Sequence, residues 1–421
     1  MYRYFAIIIL SMLYTCGAAN ETNISKSSPS INENLLILQA LDAQQYGRFA
    51  DSALLFKKLY ERSKQEEYLK NSIRLFLMTN NISMVDNLIQ KGFKNYPQDF
   101  EYERFNVAKL LKENNITAAQ KVSLALLEKE RNEQNLKLVG TIFLYMQDYN
   151  SSLNYFNEAY AISKNEQLLV QIADIELKLG RTNEAISQLE TYARMNGCSV
   201  GVCYKLIEIY GTQKDTNKML NVYKRLYEKF EENEYAQKIF EILMFQDKRF
   251  EVINFLEKSG YRPDILIELY TMEKQYDKAV SLAKETYKKT GDLEYLSKIA
   301  VLEYESADNK TDALLSSVTD KFENSLSSKS DALYLNYYGY LLINHDIDVS
   351  KGIDFVKKAL QNQPDSPYYQ DSLAWGFYKQ KNCKDAYDIM QKVIEILKDK
   401  EVLGHYDLIK ACITKNKKVE K

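Results

Sequence analysis

Small or apolar residues recur at near-constant intervals along almost all of this 421-residue chain. The series Ser52, Val85, Ala119, Ser152, Ala185, Met219, Ile253, Ala279, Ala313, Gly352, Ala386 has successive spacings of 33, 34, 33, 33, 34, 34, 26, 34, 39 and 34. Four positions after the marker comes a larger apolar residue, as in Phe56, Phe156, Leu189, Tyr223 and Met390. Three positions further comes another: Leu59, Ala159, Tyr192, Leu226 and Val393. Offsets of four and three fall on one helical face. The small residue lets two helices approach, and the larger one fills the groove between them. The pattern therefore predicts stacked helix pairs, one pair per unit. An irregular bundle of amphipathic helices would not hold one phase over eleven units. The spacing of 26 predicts a shortened unit around Ile253, and the spacing of 39 an enlarged loop between Ala313 and Gly352.

Composition supports helices with short turns, since the chain has only 14 Gly and 5 Pro. A period of this length is the mark of a solenoid, in which each unit buries its apolar face on its neighbours. One continuous solenoid is expected, with no separate globular domains.

The pattern resembles the tetratricopeptide (TPR) repeat, with L-G-x-x-Y in the first helix and A-x-x-x-F, then Pro, in the second. Tyr338-Gly339-Tyr340-Leu341-Leu342 and Leu373-Ala374-Trp375-Gly376-Phe377 supply the first-helix part, and Pro97 and Pro364 the terminal Pro. The resemblance covers residues 34–397. It implies an all-α, right-handed TPR-like α-solenoid of about 11 repeats with roughly 22 repeat helices. Residues 398–421 are then a capping helix, Val402 to Cys412, and a basic tail.

The N-terminus has a short positive end, Met1-Tyr2-Arg3, an apolar run from Ala6 to Leu13, and small residues Gly17-Ala18-Ala19. The run is too short to span a bilayer. Residues 1–19 read as a cleaved secretory signal, cut after Ala19. The competing reading is a lipobox, Leu13-Tyr14-Thr15-Cys16, with Cys16 lipidated. Residues 20–33 are expected to be a flexible linker. Export makes disulfides available, and two pairings are expected, Cys383 with Cys412 and Cys198 with Cys203. Asn23, Asn115 and Asn150 stand in acidic-extended sequons, a pattern similar to bacterial periplasmic N-glycosylation.

Net charge is −2, and no basic stripe marks a nucleic-acid surface. The chain lacks G-x-S-x-G, Walker-type and H-E-x-x-H motifs. Asn344-His345-Asp346-Ile347-Asp348 lacks the Gly and distal Glu of a calcium loop and reads as a long inter-helix turn. Only about 24 residues follow the repeats, too few for a catalytic domain. A non-enzymatic chain without cofactor or metal is expected.

In the TPR resemblance the first helices line a concave groove. Its expected partner contacts here are Asn336, Tyr340, Asp371, Trp375 and Tyr378, aromatic anchors with a few polar groups. For Trp375 and Tyr340 the alternative is packing against the neighbouring helix, and for Asp371 it is holding a neighbouring backbone group. Asp371 has the wrong sign for the basic clamp that some TPR domains use on acidic peptide ends. The block Leu335-Asn336-Tyr337-Tyr338-Gly339-Tyr340, Pro364-Asp365-Ser366-Pro367 and Asp371-Ser372-Leu373-Ala374-Trp375-Gly376 is similar to a repeat pair of Gram-negative envelope TPR proteins and lipoproteins, with Ala374 replacing the usual Gly. That resemblance implies a scaffold or adaptor for envelope proteins, in the periplasm or on the periplasmic face of the outer membrane. The alternative is a polysaccharide- or peptidoglycan-associated module.

Overall fold

A computed structural model describes residues 31–419 except 328. Among the described residues there are 23 α-helices and no strand. The segment 1–19 expected to be a secretory signal, Cys16 within it, and Asn23 lie outside the described residues.

The chain divides into two compact units, Met1–Ile239 and Phe240–Lys421. The first contains α1 (Ile31–Gln45), α2 (Phe49–Ser63), α3 (Glu66–Met78), α4 (Ile82–Asn95), α5 (Glu101–Lys112) and α6 (Ile116–Lys129). It continues with α7 (Glu133–Tyr145), α8 (Tyr149–Ser163), α9 (Glu166–Lys178), α10 (Thr182–Asn196), α11 (Val200–Thr212) and α12 (Thr216–Phe230). The division falls inside α13 (Asn233–Phe245). The second unit contains α14 (Arg249–Ser259), α15 (Pro263–Met272), α16 (Tyr276–Thr290), α17 (Leu293–Ser306) and α18 (Asp312–Ser325). It ends with α19 (Ala332–Asn344), α20 (Val349–Asn362), α21 (Pro367–Lys379), α22 (Cys383–Ile396) and α23 (Lys400–Val419). Odd-numbered helices are the first of each pair, giving eleven pairs and one terminal helix. Within each unit a helix touches the next in sequence, and first helices touch first helices, as α9 with α11, α19 with α21, and α21 with α23. Each unit is thus a stack of antiparallel pairs, the arrangement of an α-solenoid.

The turns explain how the pairs close. A residue in left-handed conformation sits in nearly every turn inside a pair: Gly47, Asn80, Asn114, Gln147, Gly180, Lys214, Asp247, Lys274, Asp346 and Lys381. The next helix opens with a cap where the sequence allows one. Asn115, Asp148, Asp215 and Asn382 each accept a hydrogen bond from the backbone three residues on. Asp348 caps α20 through Lys351 in the same way.

The marker position packs as its size predicts. Ser52, Val85, Ala119, Ser152, Ala185, Ala279 and Ala386 are fully buried. Ser52 and Ser152 each donate from Oγ to the carbonyl of the partner helix, Ala40 and Gly140, both at 2.8 Å. The closest approach is at Gly339 and Gly352. A Cβ on either would stand 2.7 Å from the carbonyl oxygen of the other, so only glycine fits at both.

Two markers are corrected. Four residues after the position preceding each second helix stand Val252 and Leu315, where the sequence pattern had picked Ile253 and Ala313. Val252 is fully buried, whereas Ile253 is half-buried and Ala313 exposed. These two pairs lack a small residue at the crossing, so a size-based phase slips there. The unit around Ile253 is indeed short, with α14 at 11 residues and α15 at 10. The enlargement between Ala313 and Gly352 lies in the connection from Ser325 to Ala332.

Both ends depart from expectation. The first helix begins at Ile31, so residues 31–33 are helix and not linker. The terminal helix runs from Lys400 to Val419, longer than the span expected from Val402 to Cys412, and its backbone takes in the basic tail.

Candidate partner-binding surface

In each pair, the side chain ten residues before the left-handed turn residue lies on the first-helix face. In the first unit this position holds Lys70, Arg104 and Lys137 in three successive repeats, flanked by Ile37 before them and Val170 and Tyr204 after, and Arg74 stands one turn after Lys70. Each cation meets carboxylates. Lys70 pairs with Asp99, with Glu101 at 3.3 Å and with Glu66 at 3.4 Å. Arg74 meets Glu101 at 2.5 Å, Arg104 meets Glu130 at 3.7 Å, and Lys137 meets Glu133 at 3.6 Å. Burial pulls the Lys70 ammonium down, but Asp99, Glu101 and Glu66 outweigh it and push it up to about 12. An open cavity of about 580 Å³ adjoins this network, lined by Glu66, Tyr96, Asp99, Phe100, Arg104 and Glu130 among others. The sequence reading missed this face. Its signal is basic residues at 33- or 34-residue spacing, invisible to a search for contiguous charge.

In the second unit that position holds Asp264, Asn336 and Asp371, and an aromatic cluster forms beside it on α17 and α19. Tyr304 packs edge-on to Tyr337 at 6.1 Å and to His345 at 5.7 Å, and bonds His345 Nε2 at 2.7 Å. Tyr337 donates to Glu305, and Tyr340 to Glu401. Burial first, then these carboxylates, hold both phenols well above their ordinary range. His345 is held below its ordinary value by burial first, then by Lys310 and Lys379.

Of the five residues expected in the groove, Tyr340, Asp371, Trp375 and Tyr378 gather around His405, but not in the open. Asp371 is 7% exposed, and both its carboxylate oxygens lie 3.1 Å from His405 Nδ1. Trp375, also 7% exposed, is stacked between His405 at 4.1 Å and Tyr378 at 4.9 Å. Its indole N–H donates to Asn344 Oδ1 at 3.3 Å. Tyr340 and Tyr378 are half-buried, as is Asn336, whose Oδ1 makes no hydrogen bond. The covering residues, Glu401 and His405, belong to α23. The expectation that Trp375 and Asp371 stand free for a partner is therefore corrected: the chain's own terminal helix packs over them. That helix is the next first helix of the stack, and its Val402 and Ile409 enter the core with Ala386, Met390 and Val393. Nothing in the spacing of α21 announces this cover, because His405 lies past the last recognisable repeat.

Both expected cysteine pairs stand at disulfide distance. Cα atoms are 5.7 Å apart for Cys383 and Cys412 and 5.8 Å for Cys198 and Cys203. The first pair ties α23 to α22. Of the sequon residues described, Asn115 caps α6 and Asn150 accepts from Arg181, and both are exposed. Among the described residues no helix is long and apolar enough to cross a membrane.

No protein-family model matches the chain, and no curated protein matches it. Among solved structures it is similar to a chain of the APC/C hetero-tetramer Cut9–Hcn1, with 13% identity over 91% of this chain and 90% of that one, TM-score 0.38. It is similar to PilF of Pseudomonas aeruginosa, with 14% identity over 49% of this chain and 95% of that one, TM-score 0.36. A tetratricopeptide repeat protein from Parabacteroides merdae has 14% identity over 66% of this chain and 98% of that one, TM-score 0.30. At these scores the assignment rests on the molecule's own geometry: repeated antiparallel pairs, a tight crossing at the marker residue, and first helices packed on first helices make each unit a TPR-like α-solenoid.

Proposed function

We propose that this chain is a non-enzymatic scaffold that holds other proteins in the bacterial envelope. The observation that carries the reading is the repeated first-helix face. Stacked first helices set such side chains next to one another: the carboxylate-paired Lys70, Arg104 and Lys137 on three successive repeats of the first unit, and the cluster of Tyr304, Tyr337 and Tyr340 in the second. Such a face offers many contacts and concentrates no reactive group.

Export is part of the proposal. It is supported by the N-terminal pattern of a positive end, an apolar run and small residues, and by two cysteine pairs at disulfide distance. The envelope resemblance around Asn336 and Asp371 agrees with it. A polysaccharide-associated role is not favoured at Trp375, whose ring is covered by His405.

Fractionation with N-terminal sequencing tests the export half. A chain released with the periplasm and starting at Asn20 is expected. A lipid-sized mass increase on Cys16 would instead select the tether. A cytosolic chain retaining Met1 would overturn export. Capture of partners from solubilised envelope tests the scaffold half, against retention on purified wall material alone.

A further inference from the structure

The first helix of the stack, α1, carries apolar side chains on both sides. Leu36, Ala40 and Ala43 are buried in the core, whereas Leu35, Leu38 and Leu41 are 54%, 64% and 49% exposed. The three exposed leucines follow one another at spacings of three and share one face. A helix that is apolar all round is ordinarily a buried one.

The repeat shows what covers that face elsewhere. Ser52 bonds the carbonyl of Ala40 as Ser152 bonds that of Gly140, so Ala40 and Gly140 are equivalent. By that register Leu35, Leu38 and Leu41 match Asn135, Leu138 and Thr141 of α7, all of them buried. Leu138 packs with Ala119 and Leu126 of α6, the second helix of the preceding repeat, which runs antiparallel to α7. Thus α1 keeps the face of an interior first helix, shaped to take an antiparallel apolar helix, and among the described residues that face is open.

Symmetry allows a second copy to supply such a helix. A two-fold axis crossing α1 at Leu38 lays the same helix of another copy antiparallel upon it. Leu38 then meets its own counterpart, and Leu35 meets the counterpart of Leu41. Self-contact requires that no like charges be set face to face, and α1 meets that condition. Its only charged residues are Glu33 and Asp42. Glu33 accepts from Gln65 at 3.3 Å and from Tyr68 at 3.1 Å, and Asp42 pairs with Arg48 at 2.7 Å. The exposed residues around the leucines, Asn32, Asn34, Gln39 and Gln45, are neutral. The other helix of the pair, α2, carries both signs, Asp51 and Glu61 with Lys57, Lys58 and Arg62. An apolar centre with a neutral polar rim is the make-up of a protein interface. With no cation on α1, an anionic lipid surface finds nothing there to hold. Residues 20–30 offer Ile24 as their one large apolar side chain, too little to cover three leucines.

We infer that α1 is a self-association surface: two copies pair through antiparallel α1 helices, each taking for the other the place of a preceding second helix. One helix of about 22 Å on each side offers less than the ~800 Å² per partner of a standard interface, so the dimer is reversible and set by concentration. The inference concerns assembly and stands apart from the scaffold reading.

Sedimentation velocity of the purified chain over a range of concentrations tests it. A dimer fraction that grows with concentration is expected, and L35Q/L38Q/L41Q should raise its dissociation constant at least about tenfold. Glutamine is a good helix former and the three side chains are exposed, so helicity and Tm should hold. If the triple variant does not fold, L38Q alone and cysteine cross-linking carry the test. On mild oxidation L38C should link to its own copy, and L35C mixed with L41C should link more than either alone. A wild-type chain that stays monomeric up to about 0.1 mM overturns the proposal, as does a dimer that the leucine variants leave intact. So does cross-linking in which L35C and L41C each link best to their own copy. Recruitment to phosphatidylcholine vesicles that the triple variant abolishes, without a dimer, would give the stripe to lipid and overturn it as well.

Discussion

His405 on the terminal helix faces Asp371 two helices back, its Nδ1 3.1 Å from each carboxylate oxygen, with both residues buried. The pair fixes α23 over the ring of Trp375. Replacing His405 with Ala leaves a buried carboxylate without that partner, at a cost of about 1.5–3 kcal/mol. Trp375 is the only tryptophan in the chain, so its fluorescence reports this end alone. In urea, its transition in H405A should move to lower denaturant while the remaining helical signal moves little.

Replacing Trp375 with Ala should destabilise the last repeats by about 3–5 kcal/mol, as for a core aromatic, because the ring is 7% exposed between His405 and Tyr378. Far-UV melts of the variant check this. An unchanged melt would mean that the ring is not packed as described.

These residues show how far the sequence could be read. The period gave eleven helix pairs and the short unit at Ile253, because close helix crossing demands a small residue at fixed spacing. It slipped by one or two positions at Val252 and Leu315, where bulkier residues occupy the crossing. Helical phase groups Tyr340, Asp371, Trp375 and Tyr378, and these four gather around His405. Whether a face is open depends on what packs next, and His405 and Glu401 come from a helix with no repeat signature. The basic face of Lys70, Arg104 and Lys137 was missed because its members are far apart in sequence.

The Cys383–Cys412 pair, 29 residues apart, should be found bonded by non-reducing peptide mapping of the protein isolated with its thiols blocked. Closing a loop of that length stabilises by roughly 3–4 kcal/mol in the chain-entropy model, against about 2 kcal/mol for the five-residue separation of Cys198 and Cys203. C383S/C412S should therefore lower Tm more than C198S/C203S. Free thiols at both pairs would falsify the bonds.

Acidification should weaken the second unit through His345. Its folded pKa is lowered, by burial first and then by Lys310 and Lys379, so the neutral ring is favoured. A neutral ring can accept at Nε2 from the hydroxyl of Tyr304. The resulting stability is complete above the ordinary histidine value near 6.5 and is lost as pH falls through the folded value. H345Q should flatten that part of the stability–pH curve. A variant as acid-sensitive as the wild type would remove His345 from the account.

Glu176 is 4% exposed, with Oε1 accepting from Gln188 at 2.7 Å and Oε2 without a hydrogen bond. Burial, then Glu184, raises its carboxyl above the ordinary range. Stability is therefore full only at low pH and is lost as pH rises through the folded value. E176Q keeps the shape without the charge and should raise unfolding stability at neutral pH by about 1 kcal/mol. Thermal melts at pH 7 and pH 4 should show the gain shrinking at the lower pH.

The central claim is that the chain holds other proteins. Native mass spectrometry of the tagged full-length chain, purified gently from solubilised envelope, tests it most directly. The account predicts a defined complex with at least one other protein in fixed ratio. A chain recovered alone under those conditions, and retained only on purified wall material, would contradict it.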